Sequence, residues 1–110
     1  MNEHYHDATD GQRLKGMRKL APADFEAWLN LNKITTREDG AIPRKYRELI
    51  AAAVACAIQC PYCIEAHTGA AKMAGASREE LVEATLVAAS IRAGGAATHG
   101  AMALKFFDQK

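Results

Sequence analysis

The sequence is best interpreted from the stretch Gln59-Cys60-Pro61-Tyr62-Cys63-Ile64-Glu65-Ala66-His67, which holds two cysteines in C-x-x-C spacing and a histidine one turn beyond the second. Pro61 suits the first position of a helix, because its fixed φ fits and its missing N–H is one that a helix start leaves unpaired anyway. Cys60 is then expected at or next to the N-cap. The pattern predicts a helix from Pro61 to Gly75, a residue that readily adopts the left-handed conformation after a helix end.

The spacing within this predicted helix has a chemical meaning. Cys60 and Cys63 are three residues apart, and Cys63 and His67 are four apart, so all three side chains face the same side. The first turn of a helix carries a partial positive charge that favours a thiolate, and the pKa of a free thiol, about 8.5, falls to about 3.5–7.5 in such motifs. A histidine one turn away can accept the thiol proton near neutral pH. The stretch therefore predicts a reactive dithiol.

Length and composition restrict the class of protein. The chain has 110 residues and a formal net charge of +1, so we expect one domain and find no electrostatic case for a nucleic-acid partner. The longest apolar run, Leu49 to Ile58, is about half the length of a membrane span. The opening residues are polar, so a secretory signal is not expected and the expected location is the cytoplasm. In that reducing compartment a C-x-x-C pair indicates redox or metal chemistry rather than a structural framework.

The rest of the chain predicts helices throughout. No segment alternates with period two and alanine is frequent, so we expect an all-α domain of about five helices, residues 17–110, behind a flexible N-terminal arm, residues 1–16. A capping box, Ser77-Arg78-Glu79-Glu80, marks one helix start. Four helices are expected besides the one at Pro61. The first begins near Leu20–Asp24 and carries an apolar stripe through Leu31. The others cover Pro43 to about Gln59, Ser77 to near Gly94-Gly95, and Ala96 to about Phe107.

The helix before the dithiol also predicts self-association. From Leu49 to Ile58 it is apolar on all sides, and a helix of that kind must be buried all round. A 110-residue monomer can hardly bury it in this way. We therefore expect a homo-oligomer in which another copy covers part of this helix.

With these residues in view, the segment from about Pro43 to Met102 resembles the alkylhydroperoxidase D-like group of the carboxymuconolactone decarboxylase superfamily. Three features carry the resemblance. Glu48 lies twelve residues before the first cysteine, the motif C-x-x-C-x-x-x-H follows, and a Gly-Ala-Ser-x-Glu-Glu helix start occupies residues 75–80.

The resemblance implies an all-α, oligomeric fold, as a trimer or hexamer, and a thiol-dependent peroxidase with antioxidant activity. It implies that Cys63 attacks the peroxide, that Cys60 resolves the product to a redox-active disulfide, and that Glu48 and His67 relay protons. No other cofactor and no metal are implied, and a thioredoxin-like or dihydrolipoyl reductant would reopen the disulfide. The spacing independently supports the pairing of Cys63 with His67. The placement of Glu48 at the site comes from the resemblance alone.

One position departs from the pattern. The best-known members of the group carry a second histidine just before the second cysteine, where this chain has Tyr62. A phenol can donate a hydrogen bond but is a poor base near pH 7. The proton relay is therefore expected to be shorter, or the oxidant different.

Two other functions fit the same residues. The dithiol can serve a thiol–disulfide exchange protein without peroxidase activity. Alternatively, Cys60, Cys63 and His67 can supply three ligands of a zinc-binding oligomeric protein, with Glu48 or His99 as a fourth. We expect His99 to be a surface or interface residue instead. Cys56, inside the apolar run before the dithiol, is expected to pack in the core.

Overall fold

The computed structural model describes residues 5–109. In this range the chain forms a 3-10 helix and five α-helices, with no strand, which confirms the predicted all-α fold. The 3-10 helix covers Ala8–Arg13, and the α-helices are α1 (Leu14–Leu20), α2 (Pro22–Thr36), α3 (Arg44–Ile58), α4 (Pro61–Met73) and α5 (Arg78–Phe107).

The centre of the fold is the pair of α3 and α4, and α5 also packs against α3. The chain reverses at Gln59, which follows α3 with φ 59° and ψ 51°, a left-handed conformation that is uncommon for a residue with a side chain. The N–H of Cys60 then donates to the carbonyl of Ala55 at 3.0 Å and closes the turn. Pro61 begins α4, and Gly75 follows its end with φ 98°, as the sequence predicts.

The buried core is small. Its apolar members are mostly alanines, which let the helices approach closely, and they are Phe25, Leu49, Ala52, Ala55 and Ala71. The α3 segment predicted to be buried on all sides is therefore buried on one side only in the single chain. Ile50, Val54 and Ile58 of α3 remain more than half exposed.

The predicted break at Gly94-Gly95 is wrong, because α5 is one continuous helix of 30 residues. A glycine inside a helix costs about 1 kcal/mol relative to alanine, and the alanine-rich flanks without proline allow the hydrogen-bond ladder to continue. The total of five α-helices still agrees with the prediction, since α1 is an additional helix.

The segment predicted as a flexible arm is helical from Ala8 onward. Residues 1–4 lie outside the described range, and the flexibility of the arm stays a prediction.

Helix α5, with 30 residues, is the longest helix of the described range. It has no fully buried residue, and the large apolar side chains near its end are more than half exposed, with Phe107 at 84%. The Cα radius of gyration is 18.1 Å and the longest dimension 55 Å, whereas a compact domain of this size has a radius of about 13 Å. No helix within residues 5–109 combines the length and apolar character needed to cross a membrane.

Candidate active site

The two thiols lie at the N-terminus of α4. Cys60 is the N-cap residue, and its Sγ accepts a hydrogen bond from the N–H of Cys63 at 3.3 Å. The two sulfurs are at disulfide-bonding distance, with the Cα atoms 5.3 Å apart, within the usual range for a disulfide of about 4.4–6.8 Å. The helix start thus places both sulfurs where they can bond with little backbone movement.

Glu48 reaches this site from α3. The reversal at Gln59 lays α3 against α4, and Glu48 Oε1 lies 2.7 Å from Nδ1 of His67. Glu48 is fully buried, whereas the His67 side chain remains 18% exposed. The structure therefore brings together Glu48 and His67, with His67 one turn beyond Cys63.

The other oxygen of Glu48 is held by Arg44, a residue that the sequence analysis did not assign to the site. Arg44 Nε donates to Glu48 Oε2 at 2.7 Å, and Arg44 Nη1 donates to Glu38 Oε1 at 2.7 Å. The hydrogen bond to Glu48, followed by that to Glu38, raises the pKa of Arg44 above its ordinary value. The sequence signal was an arginine four residues before a glutamate in a helix, a spacing that allows the two to pair.

Two cavities meet at Cys63 and His67. One, of about 390 Å³, is mainly aliphatic. The other, of about 440 Å³, lies on the side of the 3-10 helix and α2. Neither cavity is lined by Cys60. The remaining residues around the first are Ile34, Thr35, Ile42, Arg47, Ile50, Ala51, Val54, Ala55 and Ile58, and those around the second are Gly11, Leu14, Trp28, Asn32, Tyr62, Glu65 and Ala66.

Tyr62, between the two cysteines, is engaged with the N-terminal segment. Its hydroxyl donates to Asp10 Oδ2 at 2.6 Å, and the ring of His6 lies edge-on with centroids 6.4 Å apart. The hydrogen bond to the carboxylate of Asp10 raises the pKa of Tyr62. The phenol therefore stays protonated near neutral pH, which agrees with the expectation that it is a poor base.

Two other residues considered from the sequence lie apart from these groups. His99 is exposed on α5, where its Nδ1 lies 2.7 Å from the carbonyl of Gly95. Cys56 is expected in the core from its place in the apolar run. In the single chain it is instead exposed and borders a cavity between α3 and α5. Among residues 5–109 no three histidine, cysteine, aspartate or glutamate side chains are arranged as a metal site.

These features define an all-helical protein with paired cysteines at a helix start and, beside them, a buried glutamate in contact with a histidine. The model of the carboxymuconolactone decarboxylase family matches residues 22–106. The chain belongs to this family, in the superfamily that includes the alkylhydroperoxidase D-like proteins.

Individual relatives agree with this assignment. The chain is 44% identical over 84 residues to a Paracoccus denitrificans protein described as uncharacterized protein 4 in the cox locus, covering 76% of this chain and 75% of that protein. It is 34% identical over 87 residues to an uncharacterized protein of Cupriavidus necator, covering 79% and 76%. The crystal structure of an apo carboxymuconolactone decarboxylase family protein from Legionella pneumophila is similar, with a TM-score of 0.69 and 36% identity, covering 89% of this chain and 87% of that one.

Proposed function

We propose that the protein is a thiol-dependent peroxidase in which the dithiol of Cys60 and Cys63 reduces a peroxide and closes to a disulfide. The observation that carries the proposal is the 2.7 Å contact between buried Glu48 and His67, one turn beyond Cys63. A buried carboxylate bound to a cavity-lining histidine supplies a base for a thiol and an acid for a departing oxygen. Packing alone does not require such a pair.

The proposed cycle begins at Cys63. His67 takes the thiol proton, the Cys63 sulfur attacks one peroxide oxygen, and the O–O bond breaks. The departing oxygen receives the proton from His67 and leaves as an alcohol or water, so that Cys63 becomes a sulfenic acid. The Cys60 sulfur then displaces the sulfenic oxygen as water, and the disulfide forms.

The cavities support this division between the two cysteines. Cys63 and His67 line both cavities, whereas Cys60 lines neither and its sulfur accepts the N–H of Cys63. A peroxide in either cavity therefore meets Cys63 first. A thioredoxin-like or dihydrolipoyl dithiol then returns both cysteines to the reduced state, and the cytoplasm, where dithiols stay reduced, suits this cycle.

Peroxide consumption by the purified protein with a dithiol reductant tests the proposal. We expect turnover to require the reductant and, without it, to stop after one equivalent of peroxide. Mass analysis should then show the loss of two hydrogens in the peptide that holds Cys60 and Cys63. Cys56 should remain a thiol.

Three results would contradict the proposal. A disulfide that exchanges rapidly with other dithiols but forms no faster with peroxide would indicate a thiol–disulfide exchange protein. Stoichiometric zinc in the protein as isolated, with loss of folding on chelation, would indicate a metal site instead. A bridge from Cys60 to Cys56 would reject the assigned pair.

We also propose that the protein is an obligate homo-oligomer. Large apolar side chains are exposed on α3 and along α5, including Phe106 and Phe107 at the far end of α5. Ile50, Val54 and Ile91 line an apolar cavity of about 530 Å³ between these two helices. Exposed apolar surface of this extent is typical of a subunit whose partner is another copy.

Sedimentation at low micromolar concentration tests the assembly. We expect a multiple of the 11.9 kDa chain, as a trimer or hexamer. Ile91→Asp, at a side chain 70% exposed in the single chain, should shift the protein to smaller species because a charge then enters the apolar contact. Gln12→Asp, exposed on the 3-10 helix, is the control and should leave the mass unchanged. A stable, folded wild-type monomer would refute the assembly.

A further inference from the structure

The residue with the most specific unassigned contact is Arg44. Its guanidinium joins two carboxylates, Nε donating to Glu48 and Nη1 donating to Glu38, each at 2.7 Å. The contacts form a line from solvent to His67, since Glu38 is exposed, Arg44 is 28% exposed, and Glu48 is buried against His67. An arginine that served only surface solubility would not need hydrogen bonds to both an exposed and a buried carboxylate.

We propose that Arg44 is a positioning residue that keeps Glu48 ionised and thereby determines which ring nitrogen of His67 is unprotonated and can act as a base. This inference rests on the proposed function for its role in peroxide reduction. Its structural part, the protonation pattern of Glu48 and His67, stands independently of that reaction.

The charge on Glu48 depends on Arg44. A carboxylate without access to water is strongly disfavoured unless a cation and hydrogen bonds compensate it, and otherwise it binds a proton. Glu48 is fully buried, and Arg44 supplies both the positive charge and a hydrogen bond to Oε2. With Arg44 in place, Glu48 can remain an anion at the site.

The tautomer of His67 depends in turn on the charge of Glu48. An ionised carboxylate only accepts hydrogen bonds, so Nδ1 of His67, 2.7 Å from Oε1, must carry a proton. In the neutral ring Nε2 is then unprotonated and can accept the thiol proton of Cys63. A protonated Glu48 can instead donate to Nδ1. The ring proton then resides on Nε2, and the base is lost.

Glu38 supports Arg44 from the solvent side. It lies in the segment between α2 and α3 and accepts from Arg44 Nη1, which directs Nε of the same guanidinium toward Glu48. Because Glu38 is exposed, its contribution is smaller than that of Arg44. The inference therefore places Arg44 at the centre and Glu38 as its support.

Nitrogen NMR of the reduced protein tests the tautomer without any peroxide. We expect the neutral His67 ring to carry its proton on Nδ1 in the wild type and largely on Nε2 in Arg44→Gln. The Arg44→Gln protein should also show the infrared band of a protonated carboxyl group. Arg44→Lys, which restores the positive charge, should restore much of the wild-type signal. Arg37→Gln is the matched control, because Arg37 pairs with Asp39 in the same segment at 3.0 Å.

Alkylation of Cys63 by iodoacetamide in a Cys60→Ser background provides a chemical readout. We expect Arg44→Gln to slow alkylation near pH 7 by about tenfold, as loss of a supporting partner commonly does. Arg37→Gln should alkylate at the rate of the background protein. Peptide mass analysis separates Cys63 from Cys56.

A double-mutant cycle with Glu48→Gln decides the mechanism. The cycle stays informative if Arg44→Gln alone fails to fold, since both proteins that carry Glu48→Gln lack the buried charge. If Arg44 acts through Glu48, adding Arg44→Gln to Glu48→Gln should change the alkylation rate less than twofold. An undiminished tenfold effect in that background, or a wild-type tautomer in Arg44→Gln, would overturn the inference. A wild type with the expected tautomer but no peroxide turnover would reject the proposed function alone.

Discussion

Cys63→Ser is expected to abolish peroxide reduction, whereas Cys60→Ser is expected to complete one turnover and stop. The reason is the position of each sulfur. Cys63 lines both cavities with His67, so its loss removes the atom that meets the peroxide. Cys60 is needed only to displace the oxidised sulfur, so without it Cys63 should stall as a sulfenic acid.

Single-turnover peroxide consumption, followed by trapping of the sulfenic acid and peptide mass analysis, measures both effects. Cys56→Ser is the matched control. Cys56 is a third cysteine one turn before Cys60, yet it borders a different cavity with Thr85 and Arg92. It should react like the wild type.

The competing assignment has a physical basis. The partial positive charge of the helix N-terminus is largest at Cys60, the N-cap residue, and this charge favours a thiolate there. If single-turnover consumption survives in Cys63→Ser and disappears in Cys60→Ser, the helix field outweighs the base at His67. The attacking and resolving roles would then be reversed.

The parts of the site that were predictable from sequence depend on neighbours in the chain. Pro61 at the first helical position and the i, i+3 and i+4 spacings place Cys60, Cys63 and His67 at one helix start by local rules alone. The position of Gly75 after α4 follows from the same kind of rule. These rules require no knowledge of how the helices pack.

The approach of Glu48 depends on packing and was expected only from the resemblance. It requires α3 to reverse at Gln59, a non-glycine residue in the left-handed conformation, which carries a weak sequence signal. Arg44 was missed for a related reason. A charged residue in the first turn of a helix usually contacts solvent, and only the burial of Glu48 gives the pair its significance.

The continuity of α5 was missed because a pair of glycines weakens a helix without ending it. Propagation adds a hydrogen bond at each residue, so good helix formers on both sides of Gly94 and Gly95 maintain the helix. The error matters for function. A single long helix leaves its apolar end, at Phe107, exposed, and this surface supports the proposed assembly with another copy.

His67→Ala is expected to slow the oxidation of Cys63 by about 10²–10⁴-fold, the usual contribution of a general acid–base group. The thiol remains, but it loses the group that removes its proton and later protonates the departing oxygen. Glu48→Gln should have a smaller effect, about 10–100-fold, because the amide keeps the shape and one hydrogen bond to the ring but not the charge.

Fluorescence of Trp28 provides the measurement. It is the single tryptophan of the chain and lines a cavity with Cys63 and His67, so oxidation of the dithiol should change its emission. Stopped-flow mixing of reduced protein with peroxide then gives the rate constant of the first step.

The control and the order of the two effects decide the mechanism. His99→Ala should react at the wild-type rate, since the His99 ring contacts the Gly95 carbonyl of its own helix. A wild-type rate in His67→Ala would mean that the helix start alone activates the thiol. If Glu48→Gln were slower than His67→Ala, the carboxylate could not be acting through the imidazole. It would then have to exchange protons with the dithiol by another path, and the 2.7 Å contact with His67 would be a structural pair.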